Sequence, residues 1–336
     1  MFAVLAVTVA ALGIGIYVVN QASAGPSGHA SHSAASSEVT TPHATPSPSP
    51  LPPHPSGSLG DYGVAERWYT FTEHASAALG NRVLHVTVRY PDVGQAQKSG
   101  APGTSEFPLI VFAPGYRQCS ASYSILLREW ASAGYVVAAV NFPRTNCNDT
   151  SPDEADLVHQ PADLTFVIQQ LDQMSSQPSG ALSGLINATR VAVAGHSDGG
   201  DTVAAMAAMS CCRYPGLRAA VVLAGAEWPA FSGRWFAAPT APMLFVQGTA
   251  DAWNPQAASL QLYQADRRGP RYYLQLAGAD HFAPYEGDGA PEPIVAHVTI
   301  DFLDRYLAGD PDTLSAMQRA GRVAGVSELV SAGQLP

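Results

Sequence analysis

Lysine is almost missing from this chain. Of 17 basic residues among 336, only Lys98 is a lysine, and charged residues of both signs reach just 13%, about half the usual share. No basic block occurs, which excludes a nucleic-acid-binding role carried by phosphate contacts. The balance is instead acidic, with a formal net charge of −10. Long apolar runs are equally scarce. Residues 2–19 form the one long run, so a polytopic membrane protein is excluded. The four cysteines include no C-x-x-C pair, which removes the common zinc frameworks and a cysteine-centred site. No internal repeat occurs, so a solenoid is excluded too. What is present in quantity is apolar residues, 46% of the chain. That suffices for a large core and rules out a wholly disordered chain.

The N-terminal run carries no charge, and the first charged residue is Glu38. The run is followed by Ala22-Ser23-Ala24, a small-residue pattern typical of signal-peptide cleavage. A signal peptide over 1–24, cut after Ala24, is expected, with a retained membrane anchor as the alternative. Residues 25–60 are dense in Ser, Thr, Pro, Ala and His. Such a stretch buries too little apolar surface to offset chain entropy and reads as an extended linker. Its histidines, His29, His32, His43 and His54, have no spacing that fits a compact metal site. The folded domain is therefore expected over 61–336, extracellular or at the cell surface.

Within that domain strands and helices alternate. Residues 82–90 alternate in polarity as a half-buried strand. Residues 108–113, 135–142, 190–194, 217–224, 242–247 and 271–276 read as further, mostly apolar strands. Helical spacing appears over 122–133, 162–174, 199–209 and 292–307, and residues 310–336 read as a helical extension packed on the domain. Apolar strands alternating with helices predict an α/β fold: a mostly parallel sheet with helices on both faces and no large lid.

The strongest motif is Gly195-His196-Ser197-Asp198-Gly199. It lies between an apolar strand and an Ala-rich helix, the context of a nucleophile elbow. Gly195 and Gly199 supply the small residues that a tight strand-to-helix turn needs. Ser197 would sit at a helix N-terminus, where free N–H groups and the helix dipole favour developing negative charge. A serine hydroxyl needs a base to take its proton, and the chain order in this architecture is Ser, acid, His. Asp251 follows the strand at 242–247 and His281 follows the strand at 271–276, both at the sheet edge where such folds place their sites. Glu227 and Asp280 are rival acids; Asp280 is adjacent to His281, a poor geometry for orienting that ring. An oxyanion hole needs two N–H donors. The residue after the nucleophile, Asp198, is one candidate, and Tyr116 in the Ala113-Pro114-Gly115-Tyr116 loop is the other.

On these pieces, together with Ala277-Gly278-Ala279-Asp280-His281-Phe282, the chain resembles the α/β-hydrolase family. Within it, the likeness is to the lidless bacterial cutinase and polyester-hydrolase type, close to platelet-activating-factor acetylhydrolase and dienelactone-hydrolase-like enzymes. The resemblance implies a serine esterase working through an acyl-enzyme, with Ser197 as nucleophile, His281 as base, Asp251 as orienter and no cofactor. It also implies a substrate-facing tryptophan at Trp228. One departure is Asp198, where that group usually carries Met. A carboxylate there disfavours very greasy or anionic substrates. Amide hydrolysis or acyl transfer by the same triad, and a non-catalytic binding module on the same scaffold, are the alternatives. A monomer acting on small or polymeric esters is expected, with no nucleic-acid partner and membrane contact only through an uncleaved N-terminus. Cys119 and Cys147 each follow a strand on the same edge, so a Cys119–Cys147 disulfide is favoured among three pairings. Cys211 and Cys212 then remain as a vicinal bridge or free thiols.

Overall fold

A computed structural model of the chain describes residues 60, 62–74, 79–93, 106–287, 289 and 291–331. The expected signal peptide and nearly all of the expected linker lie outside the described residues. Nine described strands form one sheet, in the order β1-β2-β4-β3-β5-β6-β7-β8-β9. They are β1 Val64–His74, β2 Asn81–Pro91, β3 Phe107–Ala113, β4 Val136–Asn141, β5 Ile186–His196, β6 Leu217–Leu223, β7 Met243–Gly248, β8 Arg271–Leu276 and β9 Ser327–Ser331. From β4 through β3 to β8 the pairing is parallel. The margins, β1 on β2, β2 on β4 and β9 on β8, are antiparallel.

The parallel strands read as unbroken apolar runs because both faces are covered. On β3, Leu109 and Val111 enter one core while Ile110 and Phe112 enter the other. The helices are α1 Ser124–Ser132, α2 Gln160–Ser175, α3 Asp198–Ala208, α4 Gln256–Ala265, the single turn α5 Ala283–Glu286, α6 Pro291–Leu303 and α7 Thr313–Ala320. Side chains of α2, α3 and α4 fill the first core; those of α1, α6 and α7 fill the second. This is the α/β fold expected from the sequence, and its parallel strands all end on one edge, so the loops after β3, β5, β7 and β8 meet there.

Three elements differ from the sequence reading. Strand β1 alternates only from Trp68 onward, with Trp68 72% exposed and Tyr69 and Phe71 leaning inward. It is specified by eleven register pairs with β2, which a local pattern does not reveal. Helix α4, Gln256–Ala265, was not anticipated, since its buried face is only Ser259, Leu262 and Tyr263. The C-terminal segment is not helical throughout. Helix α7 ends at Ala320, and residues Ser327–Ser331 add an edge strand to β8 through Leu329 and Val330. Gly321 caps α7 at φ −82°, and Gly325, at φ +74°, makes the turn that leads into β9.

A buried ion cluster anchors the start of β2. Arg82 donates two hydrogen bonds to Asp156, both at 2.7 Å, and two to Asp163, both at 2.6 Å. Asp156 belongs to the 3-10 turn Glu154–His159 and Asp163 to α2. The cluster therefore fixes that turn against the sheet. Removing one side of such a pair strands buried charge. Arg82→Met is expected to lower unfolding stability by about 3–5 kcal/mol, read from urea denaturation; a loss below about 1 kcal/mol would show that the cluster is only a surface pair.

Candidate active site

The geometry begins with the turn after β5. Ser197 has φ 56° and ψ −124°, a conformation that L-residues rarely adopt and that costs about 1–3 kcal/mol. The surroundings enforce it. The Ser197 N–H donates to Leu223 O at 2.9 Å, and Asp201 N–H donates to Ser197 O at 3.0 Å. A Cβ on Gly195 would lie 2.2 Å from Gly199 O, and one on Gly199 would lie 2.0 Å from Ala113 O. Only hydrogen fits at either position. Helix α3 starts at the very next residue, Asp198, so its N-terminus points at the serine.

The structure brings Ser197, His281 and Asp251 into one hydrogen-bonded chain. His281 Nε2 is 2.9 Å from Ser197 Oγ, and His281 Nδ1 is 2.7 Å from Asp251 Oδ2. The carboxylate only accepts, so Nδ1 carries the proton and Nε2 is left to accept from the serine. Asp251 is itself held. Its Oδ1 accepts from the N–H groups of Trp253 and Asn254, both at 2.9 Å, and its Oδ2 accepts from Gln247 Nε2 at 2.9 Å. His281 and Asp251 are buried, and Ser197 is half-buried. The rival Glu227 is exposed, and Asp280 caps the turn after His281 by accepting from Phe282 and Ala283 N–H.

The loop after β3 lies against the elbow, since Ala113 pairs with Gly195. Within it, Gly115 N–H goes to Tyr123 Oη, Arg117 N–H to Thr145 O and Gln118 N–H to Gly115 O. Those bonds leave Tyr116 N–H as the loop's candidate oxyanion donor. The Asp198 N–H, in the first turn of α3, has no intrahelical acceptor and is the second. The Cys119–Cys147 bridge is present, with Cα atoms 5.3 Å apart, and ties this loop to the loop after β4. Cys211 and Cys212 are bridged to each other.

A second chain of hydrogen bonds runs beneath the first. His196 Nε2 is 2.8 Å from the His281 carbonyl oxygen, and His196 Nδ1 is 2.9 Å from Tyr123 Oη. A carbonyl accepts only, so Nε2 bears the hydrogen. Tyr123 must then donate to Nδ1 while accepting from Gly115 N–H. The oxyanion loop, the elbow and the backbone of His281 are thus joined through one tyrosine and one imidazole. Burial, and then the neighbouring His281, push His196 down to about 3.

The cleft over these residues has a volume of about 510 Å³ and is lined by Tyr116, Glu154, Ser197, Asp198, Trp253 and Phe282, among others. Trp228 is not among its lining residues. It packs with Ala205, Met209 and Phe231 in a satellite cluster beside α3, because the 225–242 connection folds back over that helix. Met209 even bridges to Trp235. The tryptophan at the cleft is Trp253, 74% exposed, its ring 6.3 Å from that of His281 and inclined 28° to it. Its position two residues after Asp251, on the same edge, was the available signal. Glu154 was missed as well. Its turn is placed by Arg82, a contact between distant parts of the sequence. Among the described residues no cluster of three metal-ligating side chains occurs, and no helix is long and apolar enough to cross a membrane.

A family model described as PET hydrolase-like matches residues 90–317. Cutinase 2 of Thermobifida cellulosilytica is 27% identical over 203 residues, covering 60% of this chain and 69% of that protein. Cutinase cut1 of Thermobifida fusca is 27% identical over 203 residues, covering 60% of this chain and 56% of that protein. Cutinase est2 of Thermobifida alba is 27% identical over 226 residues, with 65% and 67% covered. The chain therefore spans between about half and two thirds of these relatives' length.

The buried imidazole gives a direct check of the lower network. With its folded-state value near 3 and an unfolded value of about 6.5, the unfolded chain takes the proton first. Stability contributed by neutral His196 is then lost as pH falls from about 6.5 towards 3. Nitrogen-15 NMR of the histidine rings is expected to show His196 neutral with hydrogen on Nε2 throughout the range above about pH 4. A charged ring near neutrality would contradict the assignment.

Proposed function

The chain belongs to the PET hydrolase-like family of α/β-hydrolases, and from that premise we propose that it is an exported or surface-tethered serine esterase that cleaves carboxylic esters. The observation that carries this reading is the unbroken chain from Ser197 Oγ through both nitrogens of His281 to Asp251. The cutinase relatives support the ester class. The disulfides support an oxidising compartment, where such bonds persist.

In this scheme Ser197 Oγ attacks the ester carbonyl while His281 Nε2 takes its proton. The imidazolium so formed is stabilised by Asp251, whose remaining lone pairs are already occupied by backbone and Gln247 donors. That keeps the carboxylate oriented. The carbonyl oxygen becomes an oxyanion next to the N–H groups of Tyr116 and Asp198, each worth about 3 kcal/mol in the transition state. His281 returns the proton to the departing alcohol, leaving an acyl-enzyme. Water, deprotonated by the same Nε2, then releases the acid. No cofactor enters any step. The lower network keeps the oxyanion loop and the base in register: a shift in either moves Tyr123 or His196.

The site is open. The connection between β6 and β7 carries no helix over the cleft, and the rim is aromatic at Trp253 and Phe282. Such a cleft suits esters presented by a small molecule or by a polymer chain. The test is hydrolysis of p-nitrophenyl esters from acetyl to dodecanoyl by the full chain and by Ser197→Ala. The expected result is measurable turnover by the wild type and a fall of roughly 10⁴-fold or more in the variant. Equal inertness of both proteins on every ester would replace this reading by binding on the same scaffold.

A further inference from the structure

Asp198 has a backbone suited to the reaction and a side chain that is not. Its N–H is a candidate oxyanion donor, and the residue lines the same cleft. The residue is only 8% exposed, and Oδ2 is buried with no hydrogen-bond partner. An unpaired buried carboxylate is unfavourable, and beside a developing oxyanion it opposes the charge that the site must stabilise. Two events relieve it: the carboxylate takes up a proton, or it meets a cation brought by the substrate.

The cleft is built for the second. Glu154, from the turn fixed by Arg82, adds another carboxylate at its exposed rim. Tyr116, Trp253 and Phe282 line the walls, and aromatic faces attract cations. Arg117 also lines the cleft, but it is exposed, so solvent and salt screen its charge far more than that of Asp198. Glu154 is exposed and screened in the same way, so the charge at the base of the cleft is set by Asp198 and is negative once that acid is ionised, above about pH 7.

We propose that the site selects esters carrying a protonated amine, with the Asp198 carboxylate as the amine's partner at the base of the cleft and Glu154 as its partner at the rim. This rests on the esterase reading of the same site and names its substrate class. The amine keeps its proton throughout and takes no part in bond making. Its N–H donates to the carboxylate, and its charge offsets the repulsion between the carboxylate and the oxyanion.

The titratable groups that interact with the Asp198 carboxyl are Glu154 on the 3-10 turn, Asp201 on α3 and Tyr123 before α1, while His281 and Arg117 share the cleft lining. Burial, and then Glu154, push the Asp198 carboxyl up to about 7. Below that pH the acid is neutral and has no charge to offer. Preference for a cationic ester therefore rises as pH increases through about 7, provided that the amine stays protonated.

Two matched pairs of equal shape test this at about pH 7.5, where an alkylamine of this type is still largely protonated. On the alcohol side, 2-(dimethylamino)ethyl acetate is compared with 3-methylbutyl acetate. On the acyl side, ethyl 4-(dimethylamino)butanoate is compared with ethyl 5-methylhexanoate. The wild type is expected to favour the cationic member of at least one pair by about tenfold or more in kcat/KM. Asp198→Asn should bring that ratio within about twofold of unity, and Glu154→Gln, at an exposed position that folding does not depend on, should reduce it several-fold. If the neutral esters are hydrolysed as well as their cationic partners in both pairs, the proposal fails while the esterase reading stands. Survival of the preference in both variants also overturns it. If no ester of either kind is turned over, the esterase reading itself falls and the proposal with it.

Discussion

The reversal of the chain between β5 and α3 is the constraint on which the rest of the site depends. Ser197 is held at positive φ, and the turn leaves room for nothing larger than hydrogen at Gly195 and Gly199. The strain is sustained by the parallel sheet on either side: β3 and β6 flank β5, and Leu223 accepts the serine's own N–H. Because strand and helix are both anchored in buried cores, the turn cannot relax without moving them. The hydroxyl therefore stands at a helix N-terminus, within reach of a histidine from the loop after β8 and with the loop after β3 packed against it at Gly115.

Around this turn the molecule uses two layers of polar contact. The upper layer, from Ser197 to His281 to Asp251, has the geometry for proton transfer. The lower layer, from Gly115 through Tyr123 and His196 to the His281 carbonyl, is fully buried and involves no group that must change charge. Burial favours neutral His196, and the neutral ring can satisfy one donor and one acceptor at once. Asp198 interrupts this pattern of paired groups. It lines the cleft next to the serine, and its Oδ2 is buried without a partner.

Much of this was legible in the sequence because the signals are local. The elbow is a short string whose small residues are required by sterics. Asp251 and His281 each follow an apolar strand, in the order that the architecture imposes. The Cys119–Cys147 bridge followed from two loops on one edge. What was not legible depends on contacts between distant segments. Strand β1 is defined by its register with β2, and β9 by the edge that β8 leaves open. Trp228 follows the expected strand, yet the 225–242 connection turns it onto α3. Trp253 reaches the cleft because Asp251 accepts its N–H, and Glu154 because Arg82 binds Asp156. Arg82 and Asp156 lie 74 residues apart, beyond any local window, whereas Trp253 follows Asp251 by two residues and its signal is local.

The central claim is that the elbow makes Ser197, among all the chain's hydroxyls, a nucleophile activated by His281. Treatment with diethyl p-nitrophenyl phosphate followed by peptide mass analysis tests it most directly. The account predicts one diethylphosphoryl group per chain, on the peptide containing Ser197, and none at comparable reagent and time in His281→Ala. An adduct on another residue, or labelling that is unchanged when His281 is removed, would contradict it.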